Sequence, residues 1–235
     1  MTRLFFILSL IMTTVYASAQ EHKWRFGLSG SASYVTASSK EAERSLIDAG
    51  MASKDAKDFY KTLKWGQSLD IDAHYLFQAN MGVGLKYHLF TSSSKKNNLA
   101  FDTDGDGYIE MLNIDERMYY NFIGPSFYMQ TRFNSESPFQ LTAQIAIGYL
   151  HYRDEARSIY NIVATGGTIG MNSEIGIEYF CSKNISIGAT LSSMVGTIGK
   201  VTLNDGYQSQ SGKLSGDNKI NLAHLNLGLG IRFYK

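Results

Sequence analysis

The chain has 235 residues, a formal charge of +1, a single cysteine, and 22 glycines, 15 tyrosines and 13 phenylalanines against two prolines. The near-neutral balance excludes binding of nucleic acid through a basic face, and the lone Cys181 excludes an internal disulfide framework. Many aromatics with little proline favour long strands, because proline cannot donate to an interior ladder.

Met1-Thr2-Arg3 carries one positive charge, Leu4 to Tyr16 is an apolar run, and Ala17-Ser18-Ala19 fits a small-residue cleavage motif. A spanning helix needs about 20 apolar residues, so residues 1–19 read as a cleaved secretory signal. Its removal takes Arg3 and no acid, leaving a formal charge of 0 on residues 20–235. No cysteine follows it to carry a lipid anchor.

From Lys23 to Val35, Trp24, Phe26, Leu28, Ala32 and Tyr34 share one parity while Lys23, Arg25, Ser29, Ser31 and Ser33 share the other, as in a two-faced strand. In residues 38–64, Ser38 with Glu41 forms a capping-box pattern and Gly50 suits a helix end. Ser53 suits the cap of a second helix with Ala56, Phe59, Tyr60 and Leu63 on one side. This helical hairpin either docks back on the strands or offers Phe59 and Leu63 to a protein partner.

A second strand, Trp65 to Phe77, sets Leu69, Ile71, Ala73, Tyr75 and Phe77 against Ser68, Asp70, Asp72 and His74. In a third, Met81, Val83, Leu85, Tyr87 and Leu89 oppose Gly82, Gly84, Lys86 and His88. An Asp/Gly-rich loop, residues 95–115, contains Asp102, Asp104 and Asp106 with Gly107, the spacing of an EF-hand-type calcium loop, with Tyr108 and Glu110 further along it. Asn113 stands where a bidentate glutamate is expected, with Asp115 or Glu116 as substitutes. The alternative is a solvated turn. Calcium is the one cofactor this sequence suggests.

The fourth strand, Arg117 to Phe133, is aromatic on both parities, so its faces are unassigned. The fifth sets Phe139, Leu141, Ala143, Ile145, Ile147 and Tyr149 against Gln140, Thr142, Gln144 and Gly148. The sixth sets Ile169, Met171, Ile175, Ile177 and Tyr179 against Asn172, Glu174 and Glu178. Cys181 continues the apolar parity and reads as a small hydrophobe. In the seventh, Ile185, Ile187, Ala189, Leu191 and Val195 oppose Ser186, Gly188, Thr190 and Ser192. Residues 200–219, rich in Gly, Ser and Asn, read as a mobile loop. The last strand alternates Ala223, Leu225, Leu227, Leu229, Ile231 and Phe233 with Asn221, His224, Asn226, Gly228, Gly230 and Arg232.

The links after strands two, four and six are short, and those after one, three, five and seven exceed a dozen residues. Short turns at one end and long loops at the other, over an even number of two-faced strands, fit a transmembrane barrel, where closure satisfies every backbone group in lipid. A soluble lipocalin-like cup would turn the apolar face inward. Against it stands the scarcity of Lys and Glu on the polar face of the fifth and seventh strands.

Together with the leader, the Ile123-Gly124-Pro125-Ser126 segment within Tyr120–Phe127 and the terminal Arg232-Phe233-Tyr234, this pattern resembles the small eight-stranded outer-membrane barrels of the OmpA transmembrane-domain and OmpX type over residues 20–235. The resemblance implies an all-β, eight-stranded antiparallel up-and-down transmembrane β-barrel with short periplasmic turns, long external loops and a short helical insert in the first loop. It places the protein in the bacterial outer membrane. It implies outer-membrane lipid, lipopolysaccharide and the barrel-insertion machinery as partners, the last recognising Phe233, although Lys235 follows the aromatic end. A surface protein partner at residues 38–64 is the further expectation.

By parity the lumen receives Lys23, Arg25, Lys86 and Arg232 against Asp70, Asp72, Glu174 and Glu178. If Phe77 faces Met81, Asp72 faces Lys86; Glu178 reaches the depth of Arg25 and Arg232 and is expected to bridge them. Eight strands enclose a space that side chains nearly fill, so the expectation is a plugged, charge-knit core, the alternative being a gated ion path. His74, His88 and His224 point inward; a metal shared by His74 and His88 lacks a third ligand, so hydrogen bonding is expected instead. His151, with Glu155 and Ser158 nearby in sequence, is the nearest approach to a lipid-modifying site, but no His-x-Ser arrangement like that of the lipid A deacylases is present. The reading is a non-enzymatic barrel with a structural or surface-interaction role, with porin-like passage as the alternative.

Overall fold

The computed structural model describes residues 22–101, 110–134, 137–158 and 161–235. Its elements are β1 Trp24–Val35, α1 Lys40–Asp48, α2 Ser53–Leu63, β2 Trp65–Gln78, β3 Met81–Phe101, β4 Glu110–Arg132, β5 Phe139–Arg157, β6 Asn161–Phe180, β7 Ile185–Val195, β8 Thr197–Ile198, β9 Lys200–Asn204, β10 Ser209–Lys213, β11 Ile220–Asn221 and β12 His224–Tyr234. Strands β1 to β7 pair in sequence order, and β12 lies between β7 and β1, so eight strands close into an antiparallel ring. The closing seam sets Phe26 opposite Phe233 and Leu28 opposite Ile231.

The apolar parity faces outward: Leu85, Ile175, Leu227 and Leu229 are 59%, 60%, 67% and 72% exposed. Arg25, Lys86, Glu178 and Arg232 are buried inside. The inverted, soluble arrangement is thereby ruled out, because an exposed apolar belt of this kind requires lipid. Trp24, Tyr75, Phe139 and Tyr179 ring the short-turn end, while Tyr34 and Trp65, 5.0 Å apart between centroids, stand at the other end of their hairpin.

The β2–β3 register places Asp72 opposite Lys86, but Phe77 is bulged out, so Gln78 and not Phe77 pairs with Met81. In β4 the structure assigns the faces: Met118, Tyr120, Phe122, Gly124, Ser126 and Tyr128 point in. At Gly124 and Gly148 the β4 and β5 backbones approach so closely that a Cβ on Gly148 would fall 2.1 Å from the Ile123 carbonyl oxygen. Pro125 donates nothing to that ladder.

The long connections are largely strand. Lys95 pairs with Asp115 and Leu99 with Leu112 within the stretch expected to be loop, and β5 and β6 run on to Arg157 and from Asn161. Beyond the lipid belt both faces meet water, so alternation fades while the hydrogen-bond ladder continues. Residues 200–219 likewise contain the β9–β10 hairpin, and β9 extends the sheet along Val163–Gly166 of β6. Past Val195, β8 turns away to pair with β11, burying Ile198 and Leu222.

In the first connection the residue before α1 is Ser39, not Ser38, and its Oγ makes no cap to the helix backbone but donates to the Glu43 side chain at 2.5 Å. Gly50, at φ 101°, ends the helix in the left-handed region, its N–H donating to the Ile47 carbonyl. Ala52, not Ser53, precedes α2. Ala56, Phe59 and Leu63 are buried, so α2 docks on the barrel and Phe59 and Leu63 do not face a partner.

Candidate functional site: a charge-filled lumen beneath a helical cap

The lumen is built in layers from the inward parity of each strand. Nearest the short turns, Tyr234 of β12 donates to Glu178 of β6 at 2.7 Å, Gln140 of β5 donates to Tyr234 at 3.1 Å, and Arg25 of β1 lies 4.2 Å above the Tyr128 ring. Arg25 reaches Glu178 at 2.9 Å and also contacts Asp72 of β2; Arg232 of β12 approaches Glu178 at 3.5 Å and donates to Ser29 at 2.9 Å. Ser186 donates a further 2.7 Å hydrogen bond to Glu178. The expected bridge between Arg25 and Arg232 is therefore Glu178.

The next layer centres on Lys86 of β3, which pairs with Asp70 at 3.2 Å and contacts Glu174 of β6. Lys86 and Asp72 face each other in register, yet their ion pairs go elsewhere, Asp72 to Arg25 and Lys86 to Asp70 and Glu174. Strand tilt in a closed barrel offers each side chain partners across the lumen, and not only on the neighbouring strand. Lys23 stands apart. It precedes β1, is exposed, and takes no part in the network, because parity loses its meaning where the chain leaves the sheet.

Three histidines line the same layers. His224 Nδ1 lies 2.9 Å from the Leu222 carbonyl and so donates to it, which leaves Nε2 to accept from His88 Nε2 at 2.9 Å. His88 Nδ1 is 3.0 Å from Asp70 and donates there. His74 stands in the same relation to Asp72, with Nδ1 3.0 Å from its carboxylate, and its Nε2 lies 2.8 Å from Ser126 Oγ and 3.3 Å from the Gln144 amide nitrogen. Arg25, Lys86 and Arg232 thus share the lumen with Asp70, Asp72, Glu174 and Glu178, and the two histidines flank the two aspartates. His74 and His88 serve different clusters, and among the described residues no set of three metal-type ligands gathers.

Above the charges lies an apolar layer that sequence reading missed: Phe90, Phe122, Leu150, Tyr120, Tyr152 and Met194 fill the barrel, with α2 contributing Phe59 and Leu63. The signal was present in the aromatics of β4, whose inward set serves this layer. Between it and the cap is a cavity of about 820 Å³ lined by both helices, β4, β5 and the segment before β12. Glu116 and Asp154 face it. They lie outside the lipid belt, since their outward neighbours are the half-exposed Arg117 and Arg153. Burial, reinforced by Asp154, holds Glu116 well above the usual carboxylate range; burial also raises Asp154, though its bond from Tyr152 opposes this.

Of the remaining candidates, Asp102, Asp104, Asp106 and Tyr108 lie outside the described residues, as does the side chain of Glu110. Cys181 is exposed in the turn after β6, not buried, because the strand ends at Phe180. His151 faces outward beside Tyr149, and Ser158 is exposed beyond the end of β5. Phe233 is on the lipid-facing surface, 46% exposed.

A major outer membrane protein from Thermus thermophilus shares the fold, with a TM-score of 0.51 at 11% identity over 90% of this chain and 99% of that one. OprG from Pseudomonas aeruginosa aligns with a TM-score of 0.49 at 15% identity (93% and 100% covered), and neisserial surface protein A with 0.47 at 15% (90% and 97%). No curated protein matches the sequence. The family model described as an outer membrane protein beta-barrel domain matches residues 5–233, nearly the whole length, and the chain belongs to that family.

Proposed function

We propose that this outer-membrane barrel is closed to ions and works through its external face, in a structural or surface-interaction role. The observation that carries the reading is the buried ion network, in which Arg25, Asp72, Lys86, Glu178 and Arg232 are each 4% exposed or less. An apolar layer and a helical cap lie above it. Moving an ion through would require breaking buried ion pairs, which leaves charges in the interior without a counter-charge. On the outer wall, Arg117, Arg153 and Arg157, about half exposed, suit the anionic headgroups of surrounding lipid and lipopolysaccharide. The outward position of His151 supports a non-enzymatic reading. Calcium at Asp102, Asp104, Asp106, Tyr108 and Glu110 remains part of the proposal, testable by calorimetric titration with calcium chloride. The hairpin of residues 38–64 is the proposed contact surface through its exposed side, Phe59 and Leu63 being occupied.

Porin-like passage is the second reading, favoured by unpaired buried polar atoms: both amide atoms of Asn172, which is fully buried, lack a partner among the described residues. Such groups ordinarily hold water. Single-channel recording of the refolded mature barrel in a planar bilayer separates the two. Silence in the wild type supports the closed lumen; steady openings whose conductance changes in Asp72→Asn overturn it.

A further inference from the structure

The cavity of about 820 Å³ beneath the cap is not used by the lumen network. Glu116 of β4 and Asp154 of β5 line it from adjacent strands, close enough to act on each other electrostatically. Two ionised carboxylates so placed repel unless a proton or a cation lies between them. Asp154 Oδ2 accepts from Tyr152 at 2.9 Å, while Oδ1 is buried and receives no donor among the described residues. Beside the pair stand the rings of Tyr60, Tyr120 and Tyr152, the last two 5.7 Å apart between centroids. Tyr120 is 2% exposed, and among the described residues its hydroxyl meets only the Met118 thioether, a weak acceptor, at 3.4 Å.

We propose that this cavity binds a small organic monocation of the alkylammonium type, held by Glu116 and Asp154 and enclosed by the tyrosine rings. Phenol faces attract a cation within about 6 Å of their centroids, and the carboxylates supply acceptors for its N–H groups. The raised ionisation of both acids means that the pair keeps a proton towards neutral pH, so that its charge matches one positive charge better than two. A hard divalent ion takes about six or more oxygens, and although Glu41 also lines the cavity, among the described residues no three metal-type ligands come close enough together to hold one. Lys40, Lys64 and Lys219 also line the cavity, but among the described residues none forms an ion pair with either acid, so the protein's own ammonium groups leave the place open. The inference is independent of whether the lumen conducts.

Calorimetric titration of the refolded full-length barrel in micelles tests it, with n-butylammonium chloride, neutral n-butanol and calcium chloride as probes. The expected result is saturable binding of butylammonium alone, weakened about tenfold or more by Glu116→Gln and by Asp154→Asn. Tyr120→Phe should retain binding and Tyr120→Leu should lose it, since the ring and not the hydroxyl is required. Heat-modifiable gel mobility verifies folding. If the acid variants fail to fold, shifts of the Tyr120 and Tyr152 ring resonances of the wild type on butylammonium addition carry the test. No saturable binding, equal binding of butanol, tighter binding of calcium, or unchanged affinity in folded Glu116→Gln overturns the proposal.

Discussion

Arg25 on β1 and Glu178 on β6 are 153 residues apart in sequence, yet meet across the lumen at 2.9 Å with both side chains 1% exposed. Neither strand neighbours the other in the ring. Glu178 gathers two arginines, a serine and a tyrosine, so removing it leaves more than one polar group without a partner.

Glu178→Ala should therefore destabilise the barrel by about 3–5 kcal/mol, the cost typical of an orphaned buried charge. Urea unfolding in micelles measures it, and a loss below about 1 kcal/mol would show that water replaces the carboxylate. Asp70→Asn breaks the partner of both Lys86 and His88 and should cost a similar amount.

The hydrogen-bond directions around His88 predict two protonated nitrogens on that ring and one on His224. Long-range ¹⁵N–¹H spectra distinguish the two states directly. A single protonated nitrogen on His88 would show that one of its two contacts, to Asp70 or to His224, is not an N–H donation from this ring.

Phe59 is fully buried where α2 meets the barrel. Phe59→Ala should cost about 3–5 kcal/mol of packing, felt by the cap more than by the ring, since the strand ladders are untouched. Limited proteolysis should cleave within residues 38–64 faster in the variant, while the barrel's own unfolding midpoint moves little.

Glu116 and Asp154 give the cap a pH dependence of definite sign. Their ionisation in the folded state lies above the ordinary value near 4, chiefly through burial. The folded form thus binds more protons than the open form between that value and the raised one, and closure weakens as pH rises through the interval. Around the pair are Lys40, Glu41 and Glu43 from α1, Tyr60 and Lys64 from α2, Tyr120 from β4, Tyr152 from β5, and Lys219 before β12. Burial and the nearby acids hold the Tyr60 phenol protonated throughout. Hydrogen exchange of α2 amides, corrected for intrinsic rates, should show less protection at pH 8 than at pH 5, and Glu116→Gln should flatten the trend.

The eight strands, their outward faces and the short turns were legible because lipid on one side and a polar lumen on the other impose a period of two on every spanning segment. That period faded where it had no physical cause. It misplaced Lys23 and Cys181, which lie just beyond strand ends, and it left β4 unassigned because Tyr120, Phe122 and Tyr128 fill the interior while its other face meets lipid. The extended β3–β4 and β5–β6 hairpins escaped notice for the same reason, since their ladders continue into water without alternating hydrophobicity.

From the sequence alone came the closed membrane barrel and, Lys23 apart, the charges destined for its interior, because alternation and charge are local properties that register can carry. Only the tertiary structure decided which charge meets which, the apolar layer above them, and the acid pair under the cap. Those contacts join non-adjacent strands across a tilted ring, a distance that no spacing along the chain encodes.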